Sequence, residues 1–332
     1  MMKRNIDWSK VILIILIVVL SVVTTCVNKR FASVDNLLSI MRQISAPGIL
    51  AVGMTFVVLT GGIDLSTGYG VTLGAIVLGL VFNKTGNPWL AMLGGVAACV
   101  LLGIVNGLLI TKAKIIPFIT TLATMLVTRG VLNVIASGSK FFLKDDVFTA
   151  IASGGVLGGR FPISTLIFLV FFAVAVVLLK WTPFGSYVYA IGSSEKNTQL
   201  AGIKTGRYKF FTYVILGVAM GVAAIVMGSR IMQVTQESGG DSYLMDCLMA
   251  VIIGGTAIEG GKGDLLGTFL GVIFLGIVSS LLVFLSIPTI AQQCFKGLII
   301  ILALLLNYAS KQLKARQEIE AKARLFAQSQ KA

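Results

Sequence analysis

The stretch AVGMTFVVLTGGIDLSTG, Ala51 to Gly68, decides how the chain is read. It closes an apolar run with the pair Gly61-Gly62 and then places a carboxylate, Asp64, beside Ser66 and Thr67. An ionised aspartate facing lipid costs several kcal/mol, so Asp64 must face protein, a wet cavity or the interface. Two roles suit it: capping a helix that starts at Leu65, or lining a transport path.

The composition around this stretch points the same way. Of 332 residues 56% are hydrophobic and 12% charged, and the mean hydropathy is +0.95. Soluble domains carry about 25% charged residues, so a water-soluble globular enzyme is excluded. The chain has no histidine, which removes Ser-His-Asp, Cys-His and His-ligated metal sites. Cys26, Cys99, Cys247 and Cys294 fall singly in apolar runs and read as membrane-buried thiols, not as a disulfide framework or a zinc site.

Apolar length predicts spans at Val11–Val27, Ile44–Gly62, Tyr69–Phe82, Trp89–Ile110, Ile115–Ala136, Ile163–Leu179, Phe210–Ser229, Met245–Ile258, Leu265–Leu285 and Phe295–Ala309. Tyr69–Phe82 and Met245–Ile258 are shorter than the ~17–25 residues a crossing needs. Each adjoins a Gly-rich break, so they are bent, re-entrant or longer than their apolar cores. The expected fold is therefore an all-α, polytopic transmembrane helical bundle of eight to ten spans with broken helices.

With the N-terminus inside, the basic residues fall where the positive-inside bias puts them. Lys3, Arg4, Lys10, Lys112, Lys114, Lys180, Lys196, Lys204, Arg207, Lys209, Lys262 and the six of the tail make 17 of the 27 Lys and Arg. The net charge of +14 thus sets orientation; nothing in its placement suggests nucleic-acid binding. The first span lacks a small-residue cleavage site and reads as a retained helix. Residues 310–332 form a polar, basic cytoplasmic tail.

The junction repeats itself. At an offset of 193 residues Val58 and Gly61-Gly62 match Val251 and Gly254-Gly255, while Gly68, Gly70, Leu73 and Gly74 match Gly261, Gly263, Leu266 and Gly267. Duplicated halves with interrupted helices are a recurrent transporter plan. As drawn the halves are parallel; if one short segment fails to cross they become inverted.

Further polar groups at membrane depth are Thr60, Asn106, Thr121, Thr124, Arg129 and Asp246, the candidates for a path. Arg129 lies ~20 Å along its span at 1.5 Å per residue, so it needs a partner or a cavity. On the longest inner loop, Ser193 or Ser194 can cap a short helix, Glu195 favours its positive end, and Gly202 can stop it. Two turns are marginal in water unless docked, which suits a protein contact.

Two look-alikes lie in GGTAIEGGKGD, Gly254 to Asp264. A phosphate-binding loop needs glycine where Thr256 stands and a hydroxyl where Gly263 stands, so this chain is not itself an ATPase. Gly261-Lys262-Gly263-Asp264 also spells the Gly-x-Gly-Asp of intramembrane aspartyl proteases, a remote alternative requiring a second aspartate, Asp64 or Asp246.

Four ordered runs, AVGMTFVVLTGGIDLSTG, IPFITTLATMLVTRG, YAIGSSEKNTQLAGI and AVIIGGTAIEGGKGDLLGT, resemble the signatures of one family over Phe31 to Tyr308. It is that of the permease subunits of ribose/xylose/galactofuranose-type bacterial ABC importers, whose relatives carry branched-chain amino acids. The resemblance implies a permease domain over residues 1–309 in the bacterial plasma membrane, with both termini cytoplasmic. A second permease copy or a homologous permease would pack beside it, under an extracytoplasmic substrate-binding protein. ATP and Mg would be bound by partner ATPase subunits. Within residues 187–209, Ser194, Glu195, Gln199, Leu200, Ala201, Gly202 and Ile203 would form the helix that couples to them. The chain departs from the family in having Leu244-Met245 before Asp246, where an acidic and an aliphatic residue are usual, and Ser193 after Gly192.

Overall fold

The computed structural model describes residues 8–156, 161–288, 291–299, 301, 302 and 305. The basic tail and the end of the tenth predicted span lie outside them. Helices α1 (Trp8–Val27), α2 (Val34–Leu59), α3 (Thr67–Thr85), α4 (Pro88–Thr111) and α5 (Pro117–Ala136) come first. After them come α6 (Asp146–Ser153), α7 (Ile163–Lys180), α8 (Pro183–Ser193), α9 (Glu195–Leu200), α10 (Thr205–Ile231), α11 (Gly240–Ile253) and α12 (Leu265–Phe284). Residues 291–299 are also helical.

Among the described residues seven helices, α1, α2, α4, α5, α7, α10 and α12, are long and apolar enough to cross a membrane. Of the nine predicted spans whose helices are fully described, the two marked as short in the sequence, α3 and α11, are the ones outside these seven. α3 is longer than its apolar core, at 19 residues. α11 has only 14 and stops at Ile253, ahead of the predicted Ile258, because the chain turns at Gly255 with φ +90°.

Helix starts follow local chemistry. Ser33 caps α2 by accepting from Asn36 N, and Asn87 caps α4 by accepting from Trp89 N and Leu90 N, with Pro88 in the first turn. Asp145 caps α6, a helix that hydropathy leaves as polar loop; it is held down by buried Phe148, edge-on to Phe82 at 5.2 Å. Two short ladders, Phe141–Phe142 with Gln233–Val234 and Gly155–Val156 with Phe161–Pro162, tie the loops.

α2 forms the centre: every residue from Gly48 to Thr60 is buried, so it is apolar on all sides. α10, α11, α12 and α7 surround it. α1 is peripheral and packs chiefly on α12. The segments read as cytoplasmic meet at one end. Lys10 pairs with Asp264, Tyr189 donates to Gly263 O at 2.9 Å, and Lys114 shares a cavity with Glu195, Gln199 and Lys209. Asp264 caps α12, accepting from Gly267 N at 2.7 Å. Tied in this way, it is not poised as the reacting carboxyl of an aspartyl protease.

α2 and α11 finish with the same hydrogen-bonded stop. Gly62 N bonds Val57 O and Gly61 N bonds Val58 O; Thr256 N bonds Val251 O and Gly255 N bonds Ile252 O. Gly61 (φ +77°) and Gly255 (φ +90°) occupy the left-handed position of this motif. The structural correspondence is thus Gly61 with Gly255, one residue away from the sequence alignment, which matched Gly61 to Gly254. Gly261 N donates to Leu59 O at 2.9 Å. α12 runs antiparallel to both helices, with Thr268 at Thr55 and Gly276 at Ile44 of α2, and Gly267 at Gly254 and Gly271 at Ala250 of α11. α2 and α11 therefore run in the same direction.

Small residues let α4 and α10 meet backbone to backbone. A Cβ on Gly103 would lie 2.5 Å from Tyr213 O, whereas one on Gly130 of α5 meets nothing within 4 Å. Gly103→Val should therefore destabilise the bundle by about 1–3 kcal/mol and lower the unfolding midpoint in detergent. Gly130→Val should leave it unchanged. Equal midpoints for the two variants would refute this packing.

Candidate functional site

α9 is six residues long and is stabilised at both ends by its own sequence. Ser194 accepts from Asn197 N at 3.3 Å. At the other end Gly202, with φ +82°, donates to Gln199 O, and Ile203 N donates to Thr198 O. Thr198 is buried. Glu195 is ion-paired to Lys209 at 2.6 Å and accepts from Thr205 Oγ1 at 3.2 Å. Gln199 Nε2 also donates to Thr205 Oγ1, at 2.9 Å. These side chains strap α9 to the first turns of α10. Leu200 is left 78% exposed, with Gln199, Ala201 and Gly202 exposed beside it.

Behind α9, the end of α8 reaches both helix breaks. A Cβ on Gly192 would lie 1.9 Å from Leu59 O and 2.3 Å from Gly261 N. Three backbones therefore converge where only glycine fits. Tyr189 reinforces the contact through Gly263 O. Burial, with the charge of Asp264 adding to it, pushes the Tyr189 hydroxyl up to about 12, so it remains a donor at neutral pH.

Asp64 lies just inside this layer and is fully buried. It accepts from Ser66 N at 2.8 Å, Ser66 Oγ at 2.6 Å and Asn106 Nδ2 at 3.1 Å. The expectation that it caps a helix from Leu65 is corrected: α3 begins at Thr67 and its N-cap position is Ser66. Asp64 instead closes a turn on Ser66 and ties it to α4. Such non-helical backbone is tolerated at membrane depth because protein covers it. Thr121 Oγ1 lies 3.2 Å from Ile63 O and 3.0 Å from Pro117 O, two acceptors that share its single proton, which sets α5 against the same segment. Thr60 bonds Val57 O and Thr124 bonds Thr121 O, each within its own stretch of chain.

Arg129 lies elsewhere. It is exposed on a polar cavity of about 420 Å³ with Tyr69, Asn133, Gln236, Glu237, Asp241 and Gln293. Its guanidinium sits 5.6 Å from the centre of the Tyr69 ring, a cation–π contact. Tyr69 Oη is 3.4 Å from Asp241 Oδ2, and Gln293 Nε2 donates to Ser242 Oγ at 2.7 Å. Asn133 belongs to the end of α5 farther from α9, so the cavity and the α9 face lie on opposite sides of the Asp64 layer. Asp246 does not join it: Lys296 pairs with it at 2.9 and 3.1 Å, beside Arg230 and Tyr243. The sequence reading missed Tyr69, Asp241 and Gln293. The signal for Asp241 was present, since Gly239-Gly240-Asp241 repeats the glycine-pair-then-carboxylate pattern of Gly61 to Asp64.

A model of the family described as "Branched-chain amino acid transport system / permease component" matches residues 36–304. The chain belongs to this family. The ribose import permease protein RbsC of Haemophilus influenzae is 39% identical to this permease over 300 residues, covering 88% of it and 90% of the relative. RbsC of Bacillus subtilis is 38% identical, covering 87% and 89%. The L-arabinose transport system permease protein AraH of Escherichia coli is 30% identical, covering 92% and 93%. No solved structure matches the permease.

The convergence at Gly192 makes a sharp demand. Gly192→Ala should separate the α8 end from both helix breaks and abolish transport by the assembled importer. Gly202→Ala, with open space around it, should cost only about 1 kcal/mol of backbone strain and keep activity. Uptake assays on membranes with matched expression check this; full activity in Gly192→Ala would rule out the close contact.

Proposed function

We propose that this permease is the membrane-spanning subunit of an ATP-binding-cassette importer that carries a monosaccharide across the bacterial plasma membrane, with both chain ends in the cytoplasm. The observation that carries the reading is Leu200: an apolar side chain 78% exposed on a short, doubly capped helix at the end of the molecule where the basic loops gather. It acts as a knob for a groove on an ATPase subunit that binds ATP and Mg. A second permease, identical or homologous, stands beside this one, and a substrate-binding protein delivers the solute from outside.

Residues 187–209 are the coupling segment within a permease domain of residues 1–309. Closure of the ATPase pair moves α9. The Glu195–Lys209 pair and the Gln199–Thr205 bond pass the displacement to α10. Gly192 passes it to the ends of α2 and α11 through Leu59 and Gly261. The cavity beyond Asp64 is the path. A monosaccharide fits its lining better than a branched-chain amino acid, because Arg129, Asp241, Gln236 and Gln293 match hydroxyl groups while a branched aliphatic side chain needs apolar walls. The ribose and arabinose permeases among its relatives support the same substrate class.

Leu200→Asp should place an unpaired charge in the ATPase groove and reduce uptake about 30-fold, equivalent to ~2 kcal/mol at an interface hot spot. Unfolding in detergent should be unchanged. Wild-type uptake into liposomes supplied with ATPase, ATP and binding protein would sink the coupling role. Independently, Arg129→Ala should slow uptake about 10-fold while ATPase assembly and the sugar affinity of the binding protein stay constant. Unchanged uptake would remove Arg129 from the path.

A further inference from the structure

A groove of about 560 Å³ runs between α1, α2, α7 and α12, lined by Thr25, Phe31, Leu37, Ile40, Phe269 and Ile273 among others. Its few hydroxyls have internal partners: Ser21 Oγ donates to Ile17 O and Thr25 Oγ1 to Ser21 O, both at 2.7 Å. It exists because α1 leans chiefly on α12 and stands away from α2 and α7. Water would find no hydrogen-bonding partners there.

The groove has a defined end. α1 starts at the base of α12, where Lys10 pairs with Asp264, and its 20 residues carry it ~30 Å to the opposite face. There the 3-10 turn Lys29–Ala32 closes the groove, with Phe31 buried edge-on against Phe284. Lys29 and Arg30 are exposed at this mouth, and neither is paired with a carboxylate among the described residues. Asp35, in the first turn of α2, offsets only part of their charge. Along α12 the lining extends from Phe269 to Ile277, which is ~12 Å of helix. From the mouth at Phe284 down to Phe269 is ~22 Å of helix, longer than the ~15 Å hydrocarbon depth of one leaflet, so an acyl chain entering at the mouth has room along its length.

We propose that the groove holds one anionic phospholipid, with an acyl chain between α1 and α7 and its phosphate at Lys29 and Arg30. The lipid completes the packing of α1, which has little protein contact of its own. Two cations near a headgroup, partly countered by Asp35, give an expected preference on the order of ten-fold for an anionic over a zwitterionic lipid.

Native mass spectrometry of the full chain, titrated with phosphatidylglycerol or phosphatidylethanolamine, tests the site. The wild type should retain one lipid and prefer phosphatidylglycerol. Lys29→Ala/Arg30→Ala should keep a retained lipid but lose the preference. Leu37→Trp, which fills the groove, should lose the retained lipid of either kind. An unchanged preference in the charge variant overturns the headgroup contact even if Leu37→Trp fails to fold. Equal lipid retention by wild type and a folded Leu37→Trp overturns the groove. So does a Leu37→Cys variant that cross-links to a second copy in a way the wild type does not, since a protein surface would then occupy the same space.

Discussion

The contact of three backbones at Leu59, Gly192 and Gly261 is the constraint on which the rest of the permease depends. Helix ends leave carbonyls without partners, and near a membrane these must be satisfied by protein. α2 meets this need with Gly61 and Gly62 folding back on Val57 and Val58, and with Gly261 reaching Leu59 O. α8 can lie across that bond only because residue 192 has no side chain. The result joins the loop after α2, the loop before α12 and the base of α9 into one body. α9 is thereby placed one backbone contact away from the end of the central helix.

The polar groups divide around this joint according to what surrounds them. At the α9 end the charges face one another in pairs, Glu195 with Lys209 and Lys10 with Asp264, and rigidify the loops. Both pairs are half-buried; the Glu195–Lys209 pair fixes α9 against α10 with Leu200 left exposed. Beyond the Asp64 layer Arg129 and Asp241 share the Tyr69 side chain and leave donors and acceptors directed at open volume.

The membrane class, the side on which the basic loops gather and the short capped helix were legible in the sequence because they rest on local chemistry: hydropathy, charge placement, Ser194 and Gly202. The two weak spans were legible as anomalies, and they are α3 and α11. What was not legible depended on tertiary approach. Gly192 reads as one more glycine in a Gly-rich chain, and its role appears only when Leu59 and Gly261 arrive from distant segments. Tyr69 looks like part of an apolar run until Arg129 packs on its ring. The one-residue error in the repeat arose because identity rewarded aligning Gly-Gly with Gly-Gly, whereas the backbone matches residues by φ, which only Gly61 and Gly255 share.

Asp64 and Asp241 show why a carboxylate after a glycine pair does not by itself define a function. Both follow a break and both carry hydroxyl or aromatic neighbours. Asp64 is sealed by Asn106 and Ser66, whose donors occupy its oxygens, and removing it would strand those buried donors at ~1–3 kcal/mol. Among the described residues Asp241 has one long side-chain contact, to Tyr69, and a cavity in front of it. The difference comes from what packs against each break: α4 approaches Asp64 closely enough to deliver an amide, while α11 begins beside α3 with Gly240 against Gly68 and leaves its first acidic residue uncovered. The same local pattern thus yields a structural tie in one place and an acceptor open to the cavity in the other.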